Sequence, residues 1–209
     1  MKNITLAVLV FFSAISSSSA EPTKFIVDDP GGRNTVEFNS EAPIEVIVGT
    51  TNQISGNITF DPMDVQQAVS GRITVDLNTL TTGIALRDEH MKSDGYLNTA
   101  IYPLAEFDFD SPLKSDITKI EPGKPFDFVL GGKFSLHGVT RSITVTGKAS
   151  YFKEVKELVD YGYPGDMISF NGAFQVKLSD YNINRPQMLM MKLAEDINVR
   201  VNFTATTGR

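Results

Sequence analysis

The chain has 209 residues, 25 acidic and 19 basic, with a formal net charge of −6 and no cysteine. An acidic chain without a basic stripe repels phosphate backbones, which excludes nucleic acid as a partner, and it disfavours anionic bilayer surfaces for the same reason. Missing thiols exclude disulfide staples, thiolate metal sites, a cysteine nucleophile and a lipid anchor attached at a cysteine.

Residues 1–20 read as a cleaved signal peptide. Lys2 is the positive start, Ile4 to Ile15 the apolar run, and Ser18-Ser19-Ala20 the small-residue cleavage signal. The run is shorter than the ~20 apolar residues of a membrane helix. A periplasmic location without a permanent membrane anchor is therefore expected. Residues 21–209 fit one domain. They carry a charge of −7 (18 − 25), because the leader holds one base and no acid. Fourteen phenylalanines and no tryptophan point to an interior of large apolar rings.

Period-two alternation then dominates the chain. Phe25 to Val27 and Thr35 to Phe38 are short strands on either side of Asp29-Pro30-Gly31-Gly32. Ile44, Val46 and Val48 form an apolar set alternating with Glu45, Ile47 and Gly49. Ile58 and Phe60 end at Asp61-Pro62, and Met63 to Val69 suits a helical turn. Ile73, Val75 and Leu77 make the next strand.

Ile84 to Phe107 breaks the pattern. Leu86, His90 and Met91 share one side of a short helix, and Asp88 precedes Lys92 by four residues, the spacing of a helical ion pair. Asp94-Gly95 stops the helix, and Tyr102-Pro103 forces extended backbone. Ala105, Phe107 and Phe109 follow on one face of a strand.

Phe126, Phe128 and Leu130 lead through Gly131-Gly132, a bulge or bend, to Phe134 and Leu136. His137-Gly138-Val139-Thr140 is a tight connection with Gly138 at positive φ. Ile143 and Val145 continue to Ala149 and Tyr151, with Gly147 in phase. Lys153 to Asp160 is helix-compatible. Ile168, Phe170, Phe174, Val176 and Leu178 form the longest run, with Gly172 in phase. Tyr181 to Met191 is irregular and rich in methionine. Ile197, Val199, Val201 and Phe203 close the chain, with Asn198, Arg200, Asn202 and Thr204 facing water. About eight such strands admit a closed barrel or a two-layer sandwich, and alternation does not choose between them.

Catalytic signatures are absent: no G-x-S-x-G, H-E-x-x-H, P-loop or G-x-G-x-x-G occurs. His90 and His137 read either as a metal pair with Asp88 or a general base, or as packed histidines held by backbone carbonyls. Two histidines without a third ligand make a poor transition-metal site, so no metal is expected. Met188, Met190 and Met191 read as copper(I) ligands or as adaptable apolar filling and pocket lining. Arg87 reads as a salt-bridge partner of Asp88 or as a headgroup contact.

Two motifs carry a resemblance. Arg87-Asp88-x-His90-Met91 followed by Tyr96-Leu97-Asn98-x-x-x-Tyr102-Pro103-x-Ala105-x-Phe107 is the first, and Gly132 to Arg141 is the second. Both resemble hallmarks of the YceI-like polyisoprenoid-binding family. The resemblance implies an all-β, eight-stranded antiparallel, lipocalin-like barrel with one or two short helices. It implies a periplasmic carrier that holds a long-chain isoprenoid, a quinone or a polyprenyl phosphate, and does no chemistry on it. Alternatives are a lipid-modifying enzyme using His90 and His137, or a packed-core stress or partner-binding module. The resemblance leaves room for a homodimer and for transient membrane contact, and calls for no cofactor beyond the lipid itself. Expected lumen residues are Phe107, Phe109, Phe128, Leu130, Phe170, Phe174, Val199 and Val201, with Met188 and Met190. Arg87 and His90 are the headgroup candidates. Gly147 and Gly172 are where space inside is expected to remain. The chain departs from the family at Phe152 to Gly165, at Tyr181-Asn182-Ile183, and at Met188 to Lys192.

Overall fold

The computed structural model describes residues 22–65 and 67–209; the leader, residues 1–20, lies outside them. The strands are β1 (Thr23–Val27), β2 (Thr35–Glu41), β3 (Val46–Thr51), β4 (Ile54–Phe60), β5 (Ala68–Asp76), β6 (Leu104–Pro112), β7 (Pro125–Leu136), β8 (Val139–Phe152), β9 (Met167–Lys177) and β10 (Asp196–Thr206). Among the described residues there are two short α-helices, α1 (Ala85–Lys92) and α2 (Lys156–Asp160).

Hydrogen bonding runs β1-β4-β5-β6-β7-β8-β9-β10 and returns to β1 where Ile26 faces Thr206. This is a closed, eight-stranded antiparallel barrel, and closure removes the sandwich alternative. The same edge of β10 also carries β2, with Ile197 opposite Ser40 and Asn202 opposite Thr35. β2 thus prolongs the line of β1 and β3 that of β4, so each pair serves as one interrupted wall of the cylinder. Asn34 bridges the break, its Oδ1 accepting from the Thr204 amide at 2.9 Å.

Three local expectations change. In β3 the phase is reversed: Ile44, Val46 and Val48 are exposed, while Glu45, Ile47 and Gly49 turn inward. The reason is Phe38, paired with Gly49, whose ring occupies the space a Cβ there would need. Gly131-Gly132 makes no bulge against β8, which pairs with β7 without interruption from Pro125–Ser150 to Leu136–Val139; the irregularity is on the β6 side, where pairing stops at Asp108–Lys133 and resumes, shifted by two, at Lys114–Val129. Gly132 is instead a close approach, where a Cβ would stand 2.5 Å from the Phe107 ring. Finally, the described residues between Met63 and Val69 make isolated turns, with Asp64 N–H to Asp61 O at 3.1 Å and Gln67 N–H to Asp64 O at 3.4 Å, and no helix. Asp61 caps the Met63 amide at 2.8 Å in a tight turn, and Val69 is already in β5.

One end of the cylinder is shut. The Pro62 to Val65 turn meets the loop after β6 through Val65 N–H to Thr118 O and Ile120 N–H to Pro62 O, both 3.3 Å. Val65 and Ile120 are buried beneath. Phe25 stacks on Phe60 at 4.8 Å and meets Tyr151 edge-on at 6.3 Å. Asp166 ties this end together, accepting from the Tyr151 hydroxyl (2.5 Å), Lys153 Nζ (2.8 Å) and the Glu154 amide (3.0 Å).

Burial by itself would raise the Asp166 carboxyl, but those three hydrogen bonds outweigh it and hold the pKa below the usual carboxylate value. The Arg33 guanidinium holds Asp29 lower still. A folded pKa below the unfolded one contributes stability above the unfolded value, and that contribution is lost as pH falls through the folded value. Resistance to urea should therefore decline below about pH 4, the unfolded carboxylate range. Asp166→Asn should flatten that decline; an unchanged slope in urea melts between neutral and acid pH would refute this role.

Candidate ligand-binding cavity

Inside the barrel lies a cavity of about 540 Å³, within the range of sites that enclose a small molecule. Phe107, Phe109, Phe128, Leu130, Phe170, Phe174, Val199 and Val201 all line it. Val36, Ile58, Ile73 and Val145 add to the wall, and Phe60, Ile120 and Phe126 bound the shut end. The polar residues on the lining are Glu45, Thr82, Arg87, His90, Tyr96 and Lys192. They belong to α1 and its flanks, the β2–β3 turn and the segment before β10, all at the opposite end. The lumen is therefore a greasy well with polar groups gathered at its mouth.

Two expectations about lining fail. Met188 and Met190 are exposed outside the cavity, and Leu189 between them lines it. A single 3₁₀ turn at Gln187–Leu189 sends successive side chains in different directions, so neighbours cannot share one face. Nor do the two paired glycines leave free space. A Cβ on Gly147 would lie 2.0 Å from the Asn171 carbonyl oxygen, and one on Gly172 within 2.9 Å of Phe170 and Val145. They allow strand contact and ring packing, and the open volume lies elsewhere.

Helix α1 borders the mouth, and much of its attachment is polar. It has no buried residue, and Ile84 at its start supplies no side-chain cap. Met91 packs against the core cluster, and Asp88 adds polar anchors, accepting from Thr81 Oγ1 (2.7 Å), Thr82 N–H (2.8 Å) and Thr82 Oγ1 (2.6 Å). Burial opposes the charge on Asp88, but the Thr82 and Thr81 hydrogen bonds prevail and its pKa is lowered. The Lys92 charge four residues on also favours the carboxylate, as a smaller contribution than these hydrogen bonds. Arg87 does not pair with Asp88. It reaches Glu45 at 3.0 Å and donates to Thr82 Oγ1 at 2.8 Å. The partner lies 42 positions away, so helix spacing could not reveal it. Asp88→Ala should speed amide hydrogen exchange across α1 far more than across β7 or β8, since local opening follows the local contacts. Equal acceleration everywhere would show that α1 is not held independently.

His90 faces the mouth. His137 sits in the β7–β8 turn at φ 50°, its Nδ1 3.0 Å from the Tyr181 carbonyl oxygen and its ring edge-on to Tyr102 at 5.0 Å. That is the packed arrangement expected of a turn histidine. Among the described residues no three His, Cys, Asp or Glu side chains gather as a metal site. Sequence reasoning missed Glu45, Thr82, Ile84, Leu86, Lys192 and Leu193 on the lining, because none stands in phase with a strand's apolar set. The Thr81-Thr82-Gly83 turn signal before α1 was the one available hint.

The model of the YceI-like domain family matches residues 29–205. A UPF0312 protein of Pseudomonas savastanoi pv. phaseolicola is 30% identical over 198 residues, 93% of this chain and 94% of the relative. One from Shewanella denitrificans is 27% identical over 186 residues, 88% of each. The crystal structure of Burkholderia cenocepacia BcnA superposes with a TM-score of 0.62 at 18% identity, covering 86% of this chain and 99% of that one. A polyisoprenoid binding domain from Saccharophagus degradans, implicated in plant cell wall breakdown, gives 0.61 at 15% identity, covering 88% and 98%. The structural likenesses show the shared barrel fold. The domain match along nearly the whole described chain, with the 30% identical relative, shows that this protein belongs to the YceI-like domain family.

Proposed function

We propose that this protein is a periplasmic carrier that encloses the tail of a long-chain isoprenoid lipid and performs no reaction on it. The carrying observation is the apolar well with every polar lining residue at its mouth, the polarity of a tail-in, head-out amphiphile. Each five-carbon isoprene unit taken from water gains roughly 3–4 kcal/mol at ~0.8 kcal/mol per methylene. The polyisoprenoid binding attributed to the Saccharophagus domain supports the same reading.

The mouth favours an uncharged head, such as a quinone, over a phosphate. Arg87 is already paired with Glu45, so a phosphate must compete with that carboxylate or rely on Lys192, the other cation on the lining. The open lumen disfavours a packed-core module, and the separate surroundings of His90 and His137 disfavour a two-histidine enzyme. Native mass spectrometry and solvent extraction of protein purified from its own host should release an apolar molecule. Protein that emerges empty, and that takes up neither isoprenoid quinone nor polyprenol when offered, would refute the proposal.

A further inference from the structure

Between its polar groups the rim of the well also exposes large apolar side chains, which an opening that only faced water would not need. Ile44, Ile84, Leu86, Met188, Met190 and Met191 are all exposed there, Ile44 by 64%, Leu86 by 62% and Met188 by 83%. They belong to three separate segments that the structure joins into one arc. Arg87 on α1 grips Glu45 beside Ile44 at 3.0 Å, and the Ile44 amide donates to the Met191 carbonyl at 3.0 Å. Ile84 and Leu86 line the cavity while remaining exposed, so the arc runs on into the lumen alongside the polar groups of the mouth.

From this continuity we infer that the mouth end is a docking surface for a lipid bilayer, through which the tail passes without crossing water. It rests on reading the lumen as a lipid site. A bilayer fits better than a protein partner for two reasons. The arc surrounds an opening and offers no closed pocket for an anchoring side chain, and long, unbranched methionines adapt to a fluid surface. Charge selects the kind of bilayer. Glu45, Asp88 and Glu89 stand at the rim beside Arg87, Lys92 and Lys192, and the whole chain is acidic at −6. Attraction to anionic lipid is thereby absent, and apolar insertion into a zwitterionic surface is the driving force.

The test uses the protein from residue 21 onward, phosphatidylcholine vesicles in a flotation gradient, and cis-parinaric acid as the lumen probe in solution. Ile44→Glu combined with Met191→Glu alters the arc without touching the cavity lining. Val155→Glu combined with Val159→Glu adds the same charge to exposed positions on and beside α2, at the shut end. The unaltered protein and the second variant should float. The first should float at least about tenfold less, the loss of a single buried apolar side chain or more, while taking up cis-parinaric acid unchanged. Raising salt should not release the protein, since screening weakens charge attraction only. Probe uptake without flotation, equal flotation of both variants, or a dimer in solution that the first variant dissociates would each overturn the inference and leave the carrier reading standing. Absence of both probe uptake and flotation would overturn the two together.

Discussion

With Val201 replaced by tryptophan, uptake of isoprenoid or of an apolar probe should fall by about two to three powers of ten while the melting temperature stays within a few degrees. Val201 lines the cavity and faces Gly172 across the β9–β10 pair. A larger side chain there projects into vacant space, so the usual cost of overpacking a filled core does not apply. Displacing one isoprene unit forfeits roughly 3–4 kcal/mol at ~0.8 kcal/mol per methylene, and each ~1.4 kcal/mol is a factor of ten in affinity. Fluorescence titration and a thermal melt on the same sample separate the two quantities. Full affinity in a correctly folded variant would mean that the tail lies outside the lumen. A collapse of the melting temperature would mean that the space is not free.

Phe25→Ala should produce the opposite pattern, a large loss of stability with the well still able to bind below the melting point. Phe25 is fully buried, with 0% of its surface exposed, and it does not line the cavity. It is fixed between Phe60 and Tyr151 at the shut end. Truncating a ring so enclosed costs about 3–5 kcal/mol, because the cavity left behind cannot be filled by relaxation. At roughly 2–4 °C per kcal/mol for a chain of this size, the melting temperature should drop by about 6–20 °C. Circular dichroism would record it; a fall of less than about 2 °C would show that the shut end is not organised on that ring. Phe128→Ala is the informative comparison. Phe128 is equally enclosed but borders the well, so its removal enlarges an existing space and should alter ligand preference as well as stability.

Alternation alone placed the strands, because a strand's two faces follow from the pleat and need no knowledge of distant residues. The inward sets of β5 to β10 were legible for that reason. So were the helix at α1 with its stop at Asp94-Gly95, and the turn at Gly138, which takes φ 74°. The two family motifs decided for a barrel where periodicity was silent, and the closing pair Ile26–Thr206 agrees with them.

What stayed hidden depends on residues far apart in the chain. The phase of β3 follows from the Phe38 ring filling the space beside Gly49, and α1 is held by an arginine whose carboxylate lies on another turn. Likewise, an apolar alternating run reads the same whether its side chains meet in the middle or leave a hollow. That outcome is set by how far apart opposite walls stand once eight strands close. It also depends on which rings, such as Phe170 over Gly172 and Phe107 over Gly132, fold back against their own wall. Local chemistry therefore accounts for the walls of this barrel, while the empty space within them and the apolar rim around its mouth are products of closure.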